Sequence, residues 1–159
     1  MSNYPKVLIS TSLGDITAEL WDDVAPNHAA NFLKLGADGF YDNLAFHRII
    51  TGFVIQGGCP TGDGTGGPGY SVDAEFNDRP HHPGTLSMAR SSDPNSAGSQ
   101  FFICLTRAKC KHLDGEYTGF GQVTDGMDVV EKLGAAATDG NDCPRERLAI
   151  NTVTRIEGG

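Results

Sequence analysis

Arg48 lies in the run Phe46-His47-Arg48-Ile49-Ile50-Thr51-Gly52-Phe53-Val54-Ile55-Gln56-Gly57-Gly58. The β-branched and aromatic content predicts two short strands, Phe46 to Ile50 and Phe53 to Gln56, joined at Thr51-Gly52. Side chains alternate along a strand, so Phe46, Arg48 and Ile50 should share one face. The chemistry on offer there is that of a fixed cationic donor with five N–H groups. Two readings stand on this segment alone. Either something accepts those donors at a site, or the stem packs on the sheet and the head reaches water.

Other residues with chemical potential lead to blander readings. Ser99 sits in Gly98-Ser99-Gln100, which lacks the G-x-S-x-G elbow of a hydrolase nucleophile. His81-His82 is followed by Pro83, with no third ligand nearby, and reads as a solvated loop rather than a metal site. His47 falls on the strand face opposite Arg48 and reads as structural. Trp21 ends an early strand and reads as packing. Residues 62–67 satisfy G-x-G-x-x-G, but that fingerprint needs a helix to start behind it. Pro68-Gly69-Tyr70 cannot start one, so a long surface loop is expected. The four cysteines, Cys59, Cys104, Cys110 and Cys143, contain no Cys-x-x-Cys. Free thiols are expected, with Cys104 buried in a strand and Cys59 and Cys143 in Gly/Pro-rich loops, where redox sensitivity is the lesser reading.

The elements that must position these residues follow from pattern. Val7 to Ser10 and Ile16 to Trp21 flank Leu13-Gly14-Asp15 as a hairpin. Pro26 opens a helix ending at Gly36 or Gly39, with Ala29, Phe32 and Leu33 on its apolar face. Phe40 to Asn43 is a connector. Strands are expected at Thr85 to Ala89, Gln100 to Thr106, Gly119 to Val123 and Leu148 to Ile156, with a helix from Gly126 to Gly134. About eight strands separated by irregular loops predict a mainly β fold, a closed eight-stranded antiparallel β-barrel capped by two α-helices. No linker or repeat divides residues 1–159, which should form one domain.

Three segments then carry a specific resemblance. They are Phe46-His47-Arg48 through Gln56-Gly57-Gly58, then Gly84 to Arg90 with Asn95 to Ile103, and finally Leu113-Asp114-Gly115. Long, ordered and correctly spaced, they resemble the signature of the cyclophilins, the cyclosporin-binding class of peptidyl-prolyl cis-trans isomerases, here of a bacterial-like, single-domain kind. The resemblance implies that Arg48 is the catalytic arginine. Phe53, Val54, Phe102 and Leu113 would wall the proline pocket, and Gln56 and Gln100 would form its polar rim. Ala89, Arg90 and Ser91 would pair with substrate main chain, and His112 and Tyr117 would complete the rim. It implies no cofactor and no metal. The best-known members carry Met at Val54, Trp at His112 and His at Tyr117, and this chain's loop from Arg90 to Gly98 is one residue longer. Weakened cyclosporin affinity is therefore expected, with isomerase activity kept. The alternative is a module that holds proline segments with little turnover.

Composition bounds the partners. Twelve Lys and Arg against 20 Asp and Glu give a net charge of −8, with no basic run. That argues against nucleic acid and anionic membrane as partners. Met1 to Lys6 is polar and Val7 to Ile9 is too short for a signal-peptide core, so a cytoplasmic, monomeric protein is expected, acting on proline-containing peptides and unfolded or folding proteins.

Overall fold

The structure, a computed structural model, describes residues 4–62, 66–90, 93, 95–140 and 142–156. Strands β1 (Lys6–Thr11) and β2 (Gly14–Leu20) form the expected hairpin, paired from Lys6 opposite Glu19 to Thr11 opposite Gly14. Alternation puts Val7, Ile9, Ile16, Ala18 and Leu20 inside, all fully buried. Helix α1 (Pro26–Ala37) starts with Pro26 in its first turn and buries Ala29, Phe32 and Leu35, with Leu33 only partly covered. Phe32 is the hub of the aromatic core, its ring 5.0 Å from Tyr41, 5.2 Å from Phe101 and 5.3 Å from Phe120. Trp21 packs as expected, 5% exposed, with the Arg79 guanidinium 4.5 Å above its ring.

The other strands are β3 (Leu44–Ala45), β4 (Arg48–Ile50), β5 (Val54–Gly57), β6 (Thr85–Met88), β7 (Phe101–Cys104), β8 (Gly119–Asp125) and β9 (Ala149–Ile156). All nine belong to one antiparallel sheet in the order β3-β9-β1-β2-β8-β6-β7-β5-β4. Laid flat, eight interstrand gaps would separate β3 from β4 by about 38 Å. The chain allows only three Cα steps from Ala45 to Arg48, at most about 11 Å. The sheet must therefore curl until its ends meet.

The expected closed eight-stranded barrel is thus corrected to a curled, open sheet of nine strands among the described residues. Among the described residues β3 and β4 share no ladder. The physical reason is that both edges are satisfied otherwise. The Phe46 amide donates to the Leu148 carbonyl at 2.8 Å, and the Ile49 amide donates to the Asp142 carbonyl at 2.7 Å. Phe46 accordingly turns into the core at 1% exposure instead of sharing Arg48's face. The ninth strand is the two-residue β3, too short for a period-2 signal. Among the described residues three helices replace the expected two: α2 (Arg107–Cys110) joins α1 and α3 (Met127–Gly134), and a 3₁₀ turn follows α2 over Lys111–Leu113. Gly126 begins α3 at φ +92°, where an added Cβ would lie 2.5 Å from the Asp15 carbonyl oxygen. No helix among the described residues is long and apolar enough to cross a membrane.

Candidate active site

Register builds the site. On the inner face Ile49 lies opposite Ile55, Ile55 opposite Ile103, and Ile103 opposite Leu86, and all four are fully buried. One position along, on the outer face, Arg48 lies opposite Gln56, Gln56 opposite Phe102, and Phe102 opposite Ser87. Strand pleating therefore sorts one set of residues into the core and aligns the other as a row across four strands.

That row runs along a cavity of about 310 Å³. Arg48 stands exposed at its mouth, its Nη1 donating to Gln56 Oε1 at 3.3 Å. Gln56 in turn donates from Nε2 to Gln100 Oε1 at 3.2 Å, and Gln100 donates to the Gly66 carbonyl at 3.0 Å. The chain of amides thus ties the exposed guanidinium back to the loop at Gly66. Val54, Phe102 and Leu113 supply the buried wall, 3%, 5% and 4% exposed. Phe53 joins them from the turn before β5 instead of from the strand, its ring 5.8 Å from that of His112. Tyr117 meets Phe102 edge-on at 5.7 Å, and the Arg90 guanidinium caps the Tyr117 ring at 4.5 Å. Arg90 is pinned there by bonds to the Glu116 carbonyl, from Nε at 3.2 Å and from Nη2 at 2.7 Å. Ala89 lines the same cavity, its amide donating to the Gln100 carbonyl at 3.0 Å.

The structure thus brings ten of the expected residues around one cavity. Gln100 lines a second, larger cavity of about 570 Å³ that shares Gln56, Ala89 and Arg90 with the first. Ser91 lies outside the described residues, as do Asp63, Gly64 and Thr65 in the middle of the expected long loop. Among the described residues no group of three or more His, Cys, Asp and Glu could hold a metal. All four cysteines are free thiols; Cys59 is buried, whereas Cys143 is half-buried.

Beneath the wall, Cys104 and Cys110 are fully buried, and the Cys110 thiol donates to the Phe53 carbonyl at 3.4 Å. Contact with Cys110 and burial push the Cys104 thiol up, so it stays protonated. The expectation of a solvated His81 is corrected: it is 1% exposed. Its backbone N–H and ring Nδ1 both meet Asp114 Oδ1, at 2.8 Å and 3.1 Å, a pairing across 33 residues that local sequence cannot show. Arg107 holds the same carboxylate at 2.7 Å and keeps its proton affinity well below the usual carboxylate range. Residues 66–71, which line the second cavity, were also missed, because a loop without periodicity gives no sign of what it faces.

Comparison with known proteins agrees with this architecture. The family model for cyclophilin type peptidyl-prolyl cis-trans isomerases matches residues 6–155. A peptidyl-prolyl cis-trans isomerase of Synechococcus elongatus is 54% identical over 130 residues, covering 80% of this chain and 88% of that protein. A peptidyl-prolyl cis-trans isomerase-like 1 protein of Rhizopus delemar is 48% identical over 147 residues, covering 89% and 87%. A Cryptosporidium parvum cyclophilin type peptidyl-prolyl cis-trans isomerase, solved in the presence of the dipeptide Ala-Pro, superposes with a TM-score of 0.91 at 38% identity, over 96% of this chain and 99% of that one. With its curled antiparallel sheet and its match over nearly the whole length, the chain belongs to the cyclophilin-type peptidyl-prolyl cis-trans isomerase family.

Proposed function

We propose that this isomerase turns X-Pro bonds by seating the proline ring against Val54, Phe102 and Leu113 while Arg48 donates a hydrogen bond to the prolyl nitrogen as the bond twists. The observation that carries the reading is the cross-strand row Arg48–Gln56–Phe102, which sets a fixed guanidinium at the mouth of an apolar cavity.

The chemistry requires no bond to break. Amide resonance sets a rotational barrier of roughly 18–20 kcal/mol. The two planar isomers of an X-Pro bond differ by only about 0.5–1 kcal/mol. At the top of the barrier conjugation is lost and the prolyl nitrogen regains a lone pair. A planar amide nitrogen is a poor acceptor, so a donor aimed at it favours the twisted state over both ground states, as catalysis requires. Arginine suits the task because it keeps its charge and its planar fork orients the donors. Gripping the ring makes the far side of the bond the part that rotates.

Substrates are proline-containing peptides and proline segments of unfolded or folding proteins. The relative solved in the presence of Ala-Pro supports this class. The neighbouring cavity continues the groove past Gln56, Ala89 and Arg90 and offers room for the residues that flank the proline. The deciding experiment is a protease-coupled assay on an Ala-Pro-Phe peptide. Acceleration over buffer supports the reading; a folded wild type no faster than buffer leaves a module that only holds proline segments.

The rim residues also set drug sensitivity. His112 offers a smaller ring than tryptophan, 5.8 Å from Phe53. His112→Trp should tighten cyclosporin binding by roughly tenfold, the scale of one added aromatic contact. Unchanged affinity in a calorimetric titration would remove this position as the cause of weak binding.

A further inference from the structure

The cavity wall rests on a buried polar assembly that the proposed reaction does not use. His81 is 1% exposed, and its ring stacks offset from that of Phe102, with centroids 6.3 Å apart and planes 18° from parallel. Its Nε2 is 2.8 Å from Ser87 Oγ and its Nδ1 is 3.1 Å from Asp114 Oδ1. Ser87 is fully buried and stands opposite Phe102 across the β6–β7 ladder. Asp114 directly follows Leu113, which lines the same cavity as Phe102. Ser87, His81 and Asp114 have the order of a serine–histidine–aspartate relay. No acyl group can reach a fully buried Ser87, so the relay has no substrate of its own.

The bonding pattern selects one tautomer. Asp114 is ionised and accepts only, so Nδ1 carries the proton; Nε2 then accepts from the Ser87 hydroxyl. We propose that His81, as the neutral Nδ1–H tautomer, is a positioning residue for isomerisation, tying Asp114 to Ser87 and so fixing the Phe102 ring against which the proline turns. This rests on the assignment of Phe102 to the proline pocket.

The device has a pH sense. Protonation puts a hydrogen on Nε2, which can no longer accept from Ser87. The positioning is therefore complete at neutral pH and lost as the pH falls. Burial lowers the midpoint below the ordinary imidazole value of 6.5, against the opposite pull of Asp114. The charged and titratable groups facing the ring are Asp114 and, at longer range, Arg107 and His112. β7 presents the Phe102 ring and β8 presents Gly119, neither of which carries charge.

The test is catalysed exchange of an Ala-Pro-Phe peptide, followed by exchange NMR at saturating peptide from about pH 5 to about pH 8, with affinity from a shift titration. His81→Phe keeps a ring on Phe102 and deletes both ring hydrogen bonds. It should lower the saturated exchange rate about tenfold, the scale of a lost hydrogen bond, with peptide affinity within about threefold of wild type. The acid fall in wild-type rate should vanish. Ser87→Ala should lower the rate in the same direction, and the wild-type ¹⁵N spectrum should show Nδ1 protonated and Nε2 bare. A folded His81→Phe with wild-type rate and an intact acid limb overturns the proposal, because neither the rate nor its acid fall then depends on His81. If His81→Phe does not fold, a fully active Ser87→Ala or a protonated Nε2 overturns it instead. Arg48→Ala in the same assay separates the two levels: full activity there removes the site assignment, whereas its loss beside an unaffected His81→Phe removes only the role of His81.

Discussion

Arg48→Ala should lower kcat/KM on an Ala-Pro-Phe peptide by roughly ten- to a hundredfold and leave the melting temperature within a degree or so. The magnitude follows from one charge-assisted hydrogen bond, about 1.5–3 kcal/mol. The loss should fall on kcat, because the bond forms only once the prolyl nitrogen pyramidalises. The absence of a folding effect follows from position. Arg48 is exposed on the outer face of β4, and its bond to Gln56 at 3.3 Å is a surface contact that contributes little to stability. Arg48→Lys should recover only part of the rate. An ammonium keeps the charge but loses the fork that lets one guanidinium hold Gln56 and still face a substrate. Full activity in Arg48→Ala would remove the assignment of the catalytic group. A large fall in melting temperature would mean that the residue had been misread as exposed.

The placement of Arg48 was half legible from sequence, and the reason is instructive. Alternation in Val54-Ile55-Gln56 and Phe101-Phe102-Ile103-Cys104 correctly separates Ile55 and Ile103, which face the core, from Gln56 and Phe102, which face the cavity. The same rule misassigned Phe46, because it extrapolated a strand back to a residue whose amide instead donates to the Leu148 carbonyl, just ahead of β9. Cys104 was readable as a buried strand residue because local hydrophobicity and burial agree there. Helix α2 left no periodic signal in four residues; what defines it is the Thr106 hydroxyl accepting the Lys109 amide at 3.3 Å. The open edge of the sheet and the burial of His81 depend on partners far along the chain, Asp142 for β4 and Asp114 for His81. No window of sequence contains both members of either pair. The cavity residues, by contrast, were found through motif resemblance, since their spacing in sequence gives no hint that Arg48, Phe102 and Leu113 meet.

Phe102→Ala is the complementary experiment, and it should strike binding where Arg48→Ala strikes rate. Seating a proline ring removes three methylenes from water, worth about 0.8 kcal/mol each, or roughly sixtyfold in affinity if the burial is complete. In the proposed function Phe102, which lines the cavity, forms one wall of that seat. Removing it should raise KM about tenfold, and kcat should fall as well because the ring is no longer held while the bond rotates. Stability must drop too. Phe102 is 5% exposed and packs against both His81 and Tyr117. Truncation of a buried phenylalanine costs about 3–5 kcal/mol. In a domain of this size that lowers the melting temperature by roughly 6–20 °C. The variant should remain folded at 25 °C, since native domains hold about 5–15 kcal/mol. Phe102→Leu, which refills most of the volume, should recover stability ahead of turnover, because a leucine cannot present a flat face to the proline or stack on His81. If folded Phe102→Ala binds peptide with wild-type affinity, the proline sits elsewhere, and the larger cavity that begins at Gln56 is the next place to look.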